Sequence, residues 1–227
     1  MADRQTEQKR AAAIAAVRAE VRDGMAVGLG TGSTAFFALE ELARLQREEG
    51  LRIRGAPTSL QTERLARERG IALVDLGEPL DVAIDGADEI DPRRALTKGG
   101  GGAMTREKCV AVAARRLVIV ADATKLVRRL AWPVPIEVLP FAEGLTLRQL
   151  RERFPGCRPT LRLREGTPFV TDNGNHITDL AFDGNRPPAR RLAAALKALT
   201  GVVEHGLFVG MKPALYIAGE DGVTVYD

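Results

Sequence analysis

The stretch MAVGLGTGST (residues 25–34) changes character at its midpoint. An apolar run over 25–29 stops in Gly30-Thr31-Gly32-Ser33-Thr34, and Phe37, Leu39, Leu42 and Leu45 then recur at helical spacing. This is strand, glycine-rich turn, helix. The pattern repeats with a strand over 51–55, the loop Pro57-Thr58-Ser59, a helix to Arg69 and a strand over 71–74. Short apolar runs over 82–84 and 117–120 flank a helix over 104–115, and an alanine-rich helix over 6–22 with Ile14, Val17 and Val21 on one face precedes everything. Such alternation predicts an α/β fold: a Rossmann-like parallel-sheet main domain covered by helices on both faces. Ligands bind such sheets at the carboxyl ends of the strands, where the polar glycine-rich loops of this chain fall.

After Trp132-Pro133-Val134-Pro135 the alternation is lost. Strands over 136–139, 160–163, 168–171 and 177–180, helices over 145–154 and 188–199, and the turn Asp172-Asn173-Gly174-Asn175 predict a smaller α+β subdomain over 134–206. Residues 1–133 and 207–227 then form the α/β catalytic domain, with the runs over 206–209, 214–217 and 223–226 returning to the main sheet.

The 227 residues suffice for a real core, and 45% apolar with 28% charged residues is ordinary globular composition. Lys and Arg exceed Asp and Glu by 33 to 30, dispersed over several helices, and aromatics are 4%. Neither a basic stripe nor stacking platforms are available, so no nucleic-acid partner is expected. Cys109 and Cys157 are too few for a disulfide framework, and two histidines supply no zinc site; no metal is expected. No window reaches membrane-span length and the N-terminus lacks a signal peptide's pattern, which together predict a cytoplasmic protein without a membrane partner.

The chemistry concentrates in DGADEIDPRRALTKGGGGAMTREK (85–108). Four consecutive glycines are costly to order, and the use that repays them is backbone N–H groups pressed close to a ligand. Asp85 and Asp88 lie just beyond a strand end, with Gly86 and Ala87 between them. A unit-charge pair at ~4 Å repels by ~4 kcal/mol at an effective dielectric of ~20, so two facing carboxylates demand a raised pKa or a cation, and Lys98 is the nearest. Glu89 and Asp91 read as turn and surface groups. Glu107 stands in a first helical turn, where a carboxylate ordinarily complements the helix dipole. Beside a cation and bare N–H groups, it is also equipped to remove a proton alpha to a carbonyl. The turn Thr31-Gly32-Ser33-Thr34 offers hydroxyls and N–H groups to an anion at a helix N-terminus. The second strand ends in no acid to hold a ribose, and no GK[ST] follows the turn, which disfavours dinucleotide and P-loop readings.

These residues resemble the A-type ribose-5-phosphate isomerases. The matching segments are GLGTGSTA (28–35), Pro57-Thr58-Ser59 through Thr62, DVAIDGADEID (81–91), LTKGGGGAMTREK (96–108), ADATK (121–125), IEVLP (136–140), TDNGN (171–175) and GVVEHGLF (201–208). The resemblance implies cofactor-free interconversion of D-ribose 5-phosphate and D-ribulose 5-phosphate, in the non-oxidative pentose phosphate pathway, by a homodimer or homotetramer. It implies that Glu107 transfers the carbon-bound proton and that Asp85 and Asp88 assist ring opening and hydroxyl proton movement. Lys98 with the N–H groups of Gly99, Gly100 and Gly101 is expected to hold the oxyanion. Thr31, Gly32, Ser33, Thr34, Gly86, Ala87 and Lys125 complete the expected substrate contacts, and a basic residue of the first helix, Lys9 or Arg10, reaches the phosphate. One departure is Gly102, where the family pattern suggests alanine. The alternative of another class is a sugar-phosphate sensor that uses the same pocket without turnover.

Overall fold

A computed structural model describes residues 2–227. The chain forms two compact units. One comprises the chain up to Ala87, Arg106–Leu126 and Lys212–Asp227; the other comprises Asp88–Thr105 and Val127–Met211.

The first unit is built on a seven-stranded sheet. Its spatial order is Gly222–Tyr226, Ala214–Gly219, Ala114–Asp122, Leu80–Asp85, Ala26–Leu29, Arg54–Pro57, Ala72–Leu73. Every neighbouring pair is parallel except the edge hairpin of Ala214–Gly219 with Gly222–Tyr226. The α/β expectation therefore holds. All four residues of Ala26–Leu29 are buried, as required of a parallel strand covered on both faces. Helices α1 (Ala2–Glu20), α2 (Ser33–Glu49) and α3 (Leu60–Glu68) belong to this unit. Gly50 ends α2 in the left-handed region (φ 72°), its N–H returning to the Leu45 carbonyl, and Ser59 starts α3 by accepting from the Thr62 N–H.

Burying each Val, Leu or Ile side chain contributes about 1.5–3 kcal/mol, and the core assembles Val27, Leu29, Leu39, Leu42, Val82, Ile84, Val118 and Val120. The face that α1 adds to it is smaller than its sequence suggests. Ala12, Ala13, Ala16 and Val17 are wholly buried, whereas Ile14 is only half-buried. Alanine on that face permits the helix backbone to approach closely.

The second unit holds an antiparallel four-stranded sheet ordered Val202–His205, Val134–Val138, His176–Phe182, Cys157–Leu161. Leu150 of the helix Glu143–Arg153 and Leu192 and Leu196 of the helix Ala189–Lys197 pack with Val134, Ile136, Val138 and Leu180 as its core. Of the expected strand over 168–171 only Pro168 pairs regularly, as part of Thr167–Pro168 against Leu163–Arg164, and Val170 makes a single bridge to His176.

A small three-stranded sheet, Leu207–Phe208, Leu96–Thr97, Glu89–Ile90, lies outside the sequence-based expectation. It changes two assignments. The run over 206–209 pairs with Leu96–Thr97 rather than returning to the main sheet, and residues 88–105 consequently pack with the second unit.

Candidate active site

The first unit presents its polar groups at the carboxyl ends of its central strands. Ala26–Leu29 lies between Leu80–Asp85 on one side and Arg54–Pro57 on the other. This is the point where the winding of the sheet reverses, the usual crevice for a ligand in such sheets. The turn after Ala26–Leu29 and the last residue of Leu80–Asp85 meet there. Asp85, 4% exposed, accepts from the Gly86 N–H at 2.7 Å and the Thr31 N–H at 3.2 Å through Oδ1. Gly30 makes the approach feasible: a Cβ there would stand 2.4 Å from Asp85 Oδ1 and 2.6 Å from the Ile84 carbonyl oxygen.

Thr31 has a different role from its neighbours. Its hydroxyl lies 2.7 Å from Thr58 Oγ1, 2.8 Å from Ser59 Oγ and 3.0 Å from Thr62 Oγ1, a knot that fixes the glycine turn to the start of α3. Thr62 in turn donates to the Gly30 carbonyl. The groups suited to an anion are the N-terminus of α2 and its attendants. Gly32 (φ 107°) is the N-cap and contributes no side chain, so neither Ser33 nor Thr34 caps the helix. Lys9 of α1 donates through Nζ to Ser33 Oγ at 3.2 Å, whereas the Arg10 guanidinium stacks on Phe37, 4.5 Å from the ring centre. Lys9 is therefore the first-helix cation at this turn. A cleft of about 250 Å³ opens beside it, lined by Gly30, Gly32, Ser33, Phe36, Thr62 and Leu65. Lys125 ends the short 3-10 turn Ala123–Lys125 after the strand Ala114–Asp122, held by buried Asp122, which accepts from the Thr124 N–H. Lys125 thus emerges at the same edge of the sheet.

Glu107 occupies the core-facing stripe of α4 (Met104–Ala113), in series with Met104 and Val110, both buried. Three-residue spacing puts all three on one helix face. Glu107 is itself 6% exposed, at a position an ordinary helix fills with an apolar residue. The helix lies close to the sheet because Gly28 is bare: a Cβ there would meet Val110 Cγ1 at 2.4 Å.

The second unit carries the glycine loop. Lys98, 3% exposed, leaves the small sheet with its N–H donating to the Gly206 carbonyl at 2.8 Å and its Nζ 5.5 Å from the centre of the Phe208 ring. Gly99 and Gly102 close a turn, Gly102 N–H to Gly99 carbonyl at 3.0 Å, with φ of 101° and 90° respectively. Asp88 Oδ2 accepts from the Gly100 N–H at 2.8 Å. The departure at Gly102 has a physical reason. Its φ is left-handed and a Cβ would come 2.5 Å from the Phe169 ring, so alanine would be strained and crowded in this chain.

Several residues differ from their sequence reading. Glu89 is buried rather than a surface group, accepting from Thr97 Oγ1 and from the N–H groups of Ala131 and Trp132. Asp91 does hold a turn, through the N–H groups of Arg93 and Ala95. His176 pairs with Glu143, and His205 is buried, accepting from the Leu207 N–H. Among the described residues no cluster of His, Cys, Asp or Glu has the makings of a metal site. Glu137 escaped sequence reasoning. It is wholly buried, and accepts from Thr171 Oγ1 at 2.9 Å, Asn173 Nδ2 at 3.0 Å, Asn175 Nδ2 at 2.8 Å and Thr105 Oγ1. The TDNGN segment is thus the receptor for a buried carboxylate, and Thr105 ties the first turn of α4 to it.

The chain's relatives supply its class, an α/β sugar-phosphate isomerase. Residues 54–222 match the family model of ribose 5-phosphate isomerase A (phosphoriboisomerase A), and the chain belongs to that family. The ribose-5-phosphate isomerase A of Methanosarcina acetivorans is 49% identical over 219 residues, covering 95% of this chain and 92% of its own. The solved ribose 5-phosphate isomerase of Plasmodium falciparum superposes with a TM-score of 0.93 at 37% identity, covering 98% of both chains. A D-ribose-5-phosphate isomerase solved in complex with phospho-erythronic acid superposes with a TM-score of 0.92 at 35% identity, covering 97% of this chain and 98% of its own.

Proposed function

We propose that this chain interconverts D-ribose 5-phosphate and D-ribulose 5-phosphate through a cis-enediolate, with Glu107 moving the proton between C2 and C1. The observation that carries the assignment is the position of Glu107 on the apolar stripe of α4. A buried carboxylate at such a position is placed for a reacting proton rather than for the surface. Asp85 and Asp88, each held by backbone N–H groups, act on the ring oxygen and the hydroxyl protons. Lys98 with the N–H groups of the glycine loop stabilises the oxygen that becomes negative. Lys9, Ser33, Thr34 and the first turn of α2 take the phosphate, joined by Lys125, while the Thr31 hydroxyl supports the turn from behind. Gly32, Gly86 and Ala87 contribute backbone to the same pocket. Phospho-erythronic acid, found with one relative, is a phosphorylated sugar acid, the chemistry that a phosphate-binding turn and a set of oxyanion donors would take.

The step needs neither metal nor redox cofactor, because one proton leaves C2 and one returns at C1. Assembly as a homodimer or homotetramer is part of the proposal, supported by the exposed apolar side chains Leu139 and Phe141. A cytoplasmic location is supported by the free thiols Cys109 and Cys157. Among the described residues no helix is long and apolar enough to cross a membrane. The relatives bear an enzyme's name and give the sensor reading no support.

The test is incubation with ribose 5-phosphate in D₂O with chelator and no added cofactor. Ketose formation with deuterium at C1 is expected. Binding without conversion would instead establish the sensor.

A further inference from the structure

The glycine loop is braced from behind by a residue outside every motif considered above. Arg162 follows the strand Cys157–Leu161, and its Nη1 donates to the carbonyl oxygens of both Gly99, at 3.0 Å, and Gly100, at 3.1 Å. Its other face is locked: Nε donates to Asp179 Oδ2 at 2.8 Å and Nη2 bonds Asp179 Oδ1. The guanidinium also lies 5.9 Å from the centre of the Phe169 ring, the ring that closes against Gly102. Arg162 and Asp179 are 17% and 28% exposed in their side chains, so the pair is largely shielded from solvent.

We propose that Arg162, held by Asp179, is a positioning residue for the isomerisation, setting the direction and donor strength of the Gly100 N–H, which holds Asp88, and of the Gly101 N–H, which serves the developing oxyanion. The proposal rests on the reading above that Asp88 and these N–H groups face the substrate. The geometry is specific. The Gly99 and Gly100 carbonyls belong to the same two peptide groups as the Gly100 and Gly101 nitrogens. In a trans peptide the N–H points opposite to the C=O, so anchoring both oxygens on one guanidinium turns both N–H groups to the far side of the loop. On that side the Gly100 N–H meets Asp88. A charged donor on a carbonyl oxygen also polarises its peptide and strengthens the N–H of the same group. Four glycines cannot hold such an orientation alone, since their backbones are the least restricted of any residue. An arginine suits the task because its planar fork can grip a carboxylate with two nitrogens while a third atom's hydrogens serve the loop, which an ammonium cannot reproduce.

The test uses the full-length protein carrying Arg162→Ala, Arg162→Lys or Asp179→Asn, with circular dichroism and thermal melting to establish folding. For Arg162→Ala, kcat is expected to fall about tenfold to a hundredfold, somewhat less than the loss of a direct oxyanion donor, with KM within about threefold of the parent. Low-millimolar guanidinium ion is expected to restore part of that kcat while leaving the parent unchanged. If Arg162→Ala does not fold, Arg162→Lys decides the matter, with a smaller fall confined to kcat expected. Parental kcat in a folded Arg162 variant overturns the inference, as does a loss carried by KM alone. Glu107→Gln assayed alongside separates the two levels. An inactive Glu107→Gln with a fully active Arg162→Ala refutes only the role of Arg162, whereas an active Glu107→Gln refutes the site reading beneath it.

Discussion

Gly30→Ala isolates the contact on which the first half of the site depends. Gly30 is not in the left-handed region, so alanine brings no backbone strain and the whole effect is one of space. The added Cβ would stand 2.4 Å from Asp85 Oδ1, 2.6 Å from its Cγ and 2.6 Å from the Ile84 carbonyl oxygen, against 3.4–4 Å for ordinary contact. Relief requires a displacement of about 1 Å, and two of the three atoms belong to Asp85. The movement cannot be absorbed by a flexible tip, because Asp85 Oδ1 is held by the Gly86 and Thr31 N–H groups. A misplacement of ~1 Å at a reacting group costs on the order of 10²-fold in rate. Overpacking of this kind destabilises by about 1–3 kcal/mol. For a chain of this size each kcal/mol lowers Tm by about 2–4 °C. We therefore expect a folded protein, with a lower Tm and kcat/KM reduced about a hundredfold, measured by following ketose formation from ribose 5-phosphate. A folded Gly30→Ala variant within threefold of the parent would refute the assignment of Asp85 to the reaction.

Gly206→Ala is expected to act on Lys98 in the same way, since a Cβ would lie 2.1 Å from the Lys98 carbonyl oxygen and 2.8 Å from Pro135 Cδ. Steady-state kinetics should show kcat falling by about tenfold or more, and unchanged kcat would remove Lys98 from the oxyanion role. The buried carboxylate of Glu41 is held below its ordinary pKa of 4.5 by the Arg44 guanidinium first and Arg18 second, against the opposing effect of burial. A carboxyl whose folded pKa is depressed contributes stability above its unfolded pKa, and that contribution is lost as pH falls through the folded value. Glu41→Gln should therefore cost about 1–3 kcal/mol in urea unfolding at neutral pH and progressively less below about pH 4.5. An equal deficit at pH 7 and pH 3 would contradict this.

The legible parts of the fold were those with a period or an abrupt change in backbone type. Met25 to Thr34 announced a strand, a turn and a helix because an apolar run met three closely spaced residues without β-branching or bulk. Asp85 stands out just beyond an apolar strand end, and Glu107 in a first helical turn beside the glycine loop and a cation. What could not be read were contacts made by elements too short to have a period. Leu96–Thr97 and Leu207–Phe208 are two residues each, yet their pairing carries Lys98 and draws residues 88–105 into the second unit. Glu137 sat within a quoted motif, but one acid in a strand does not reveal four neutral donors gathered from distant positions. Lys9 and Arg10 were indistinguishable along the chain and separate only in space, one toward Ser33 and the other over Phe37. Arg162 had no signal at all, since an arginine after a strand usually faces water.

In the proposed isomerisation Glu107 moves the carbon-bound proton. The direct measurement is the turnover of Glu107→Gln with ribose 5-phosphate, together with substrate binding by calorimetry. The amide preserves size and burial but cannot accept the proton, so kcat should fall by about 10² to 10⁴ while binding stays near the parent's. Near-normal turnover in the variant would contradict the assignment of the base.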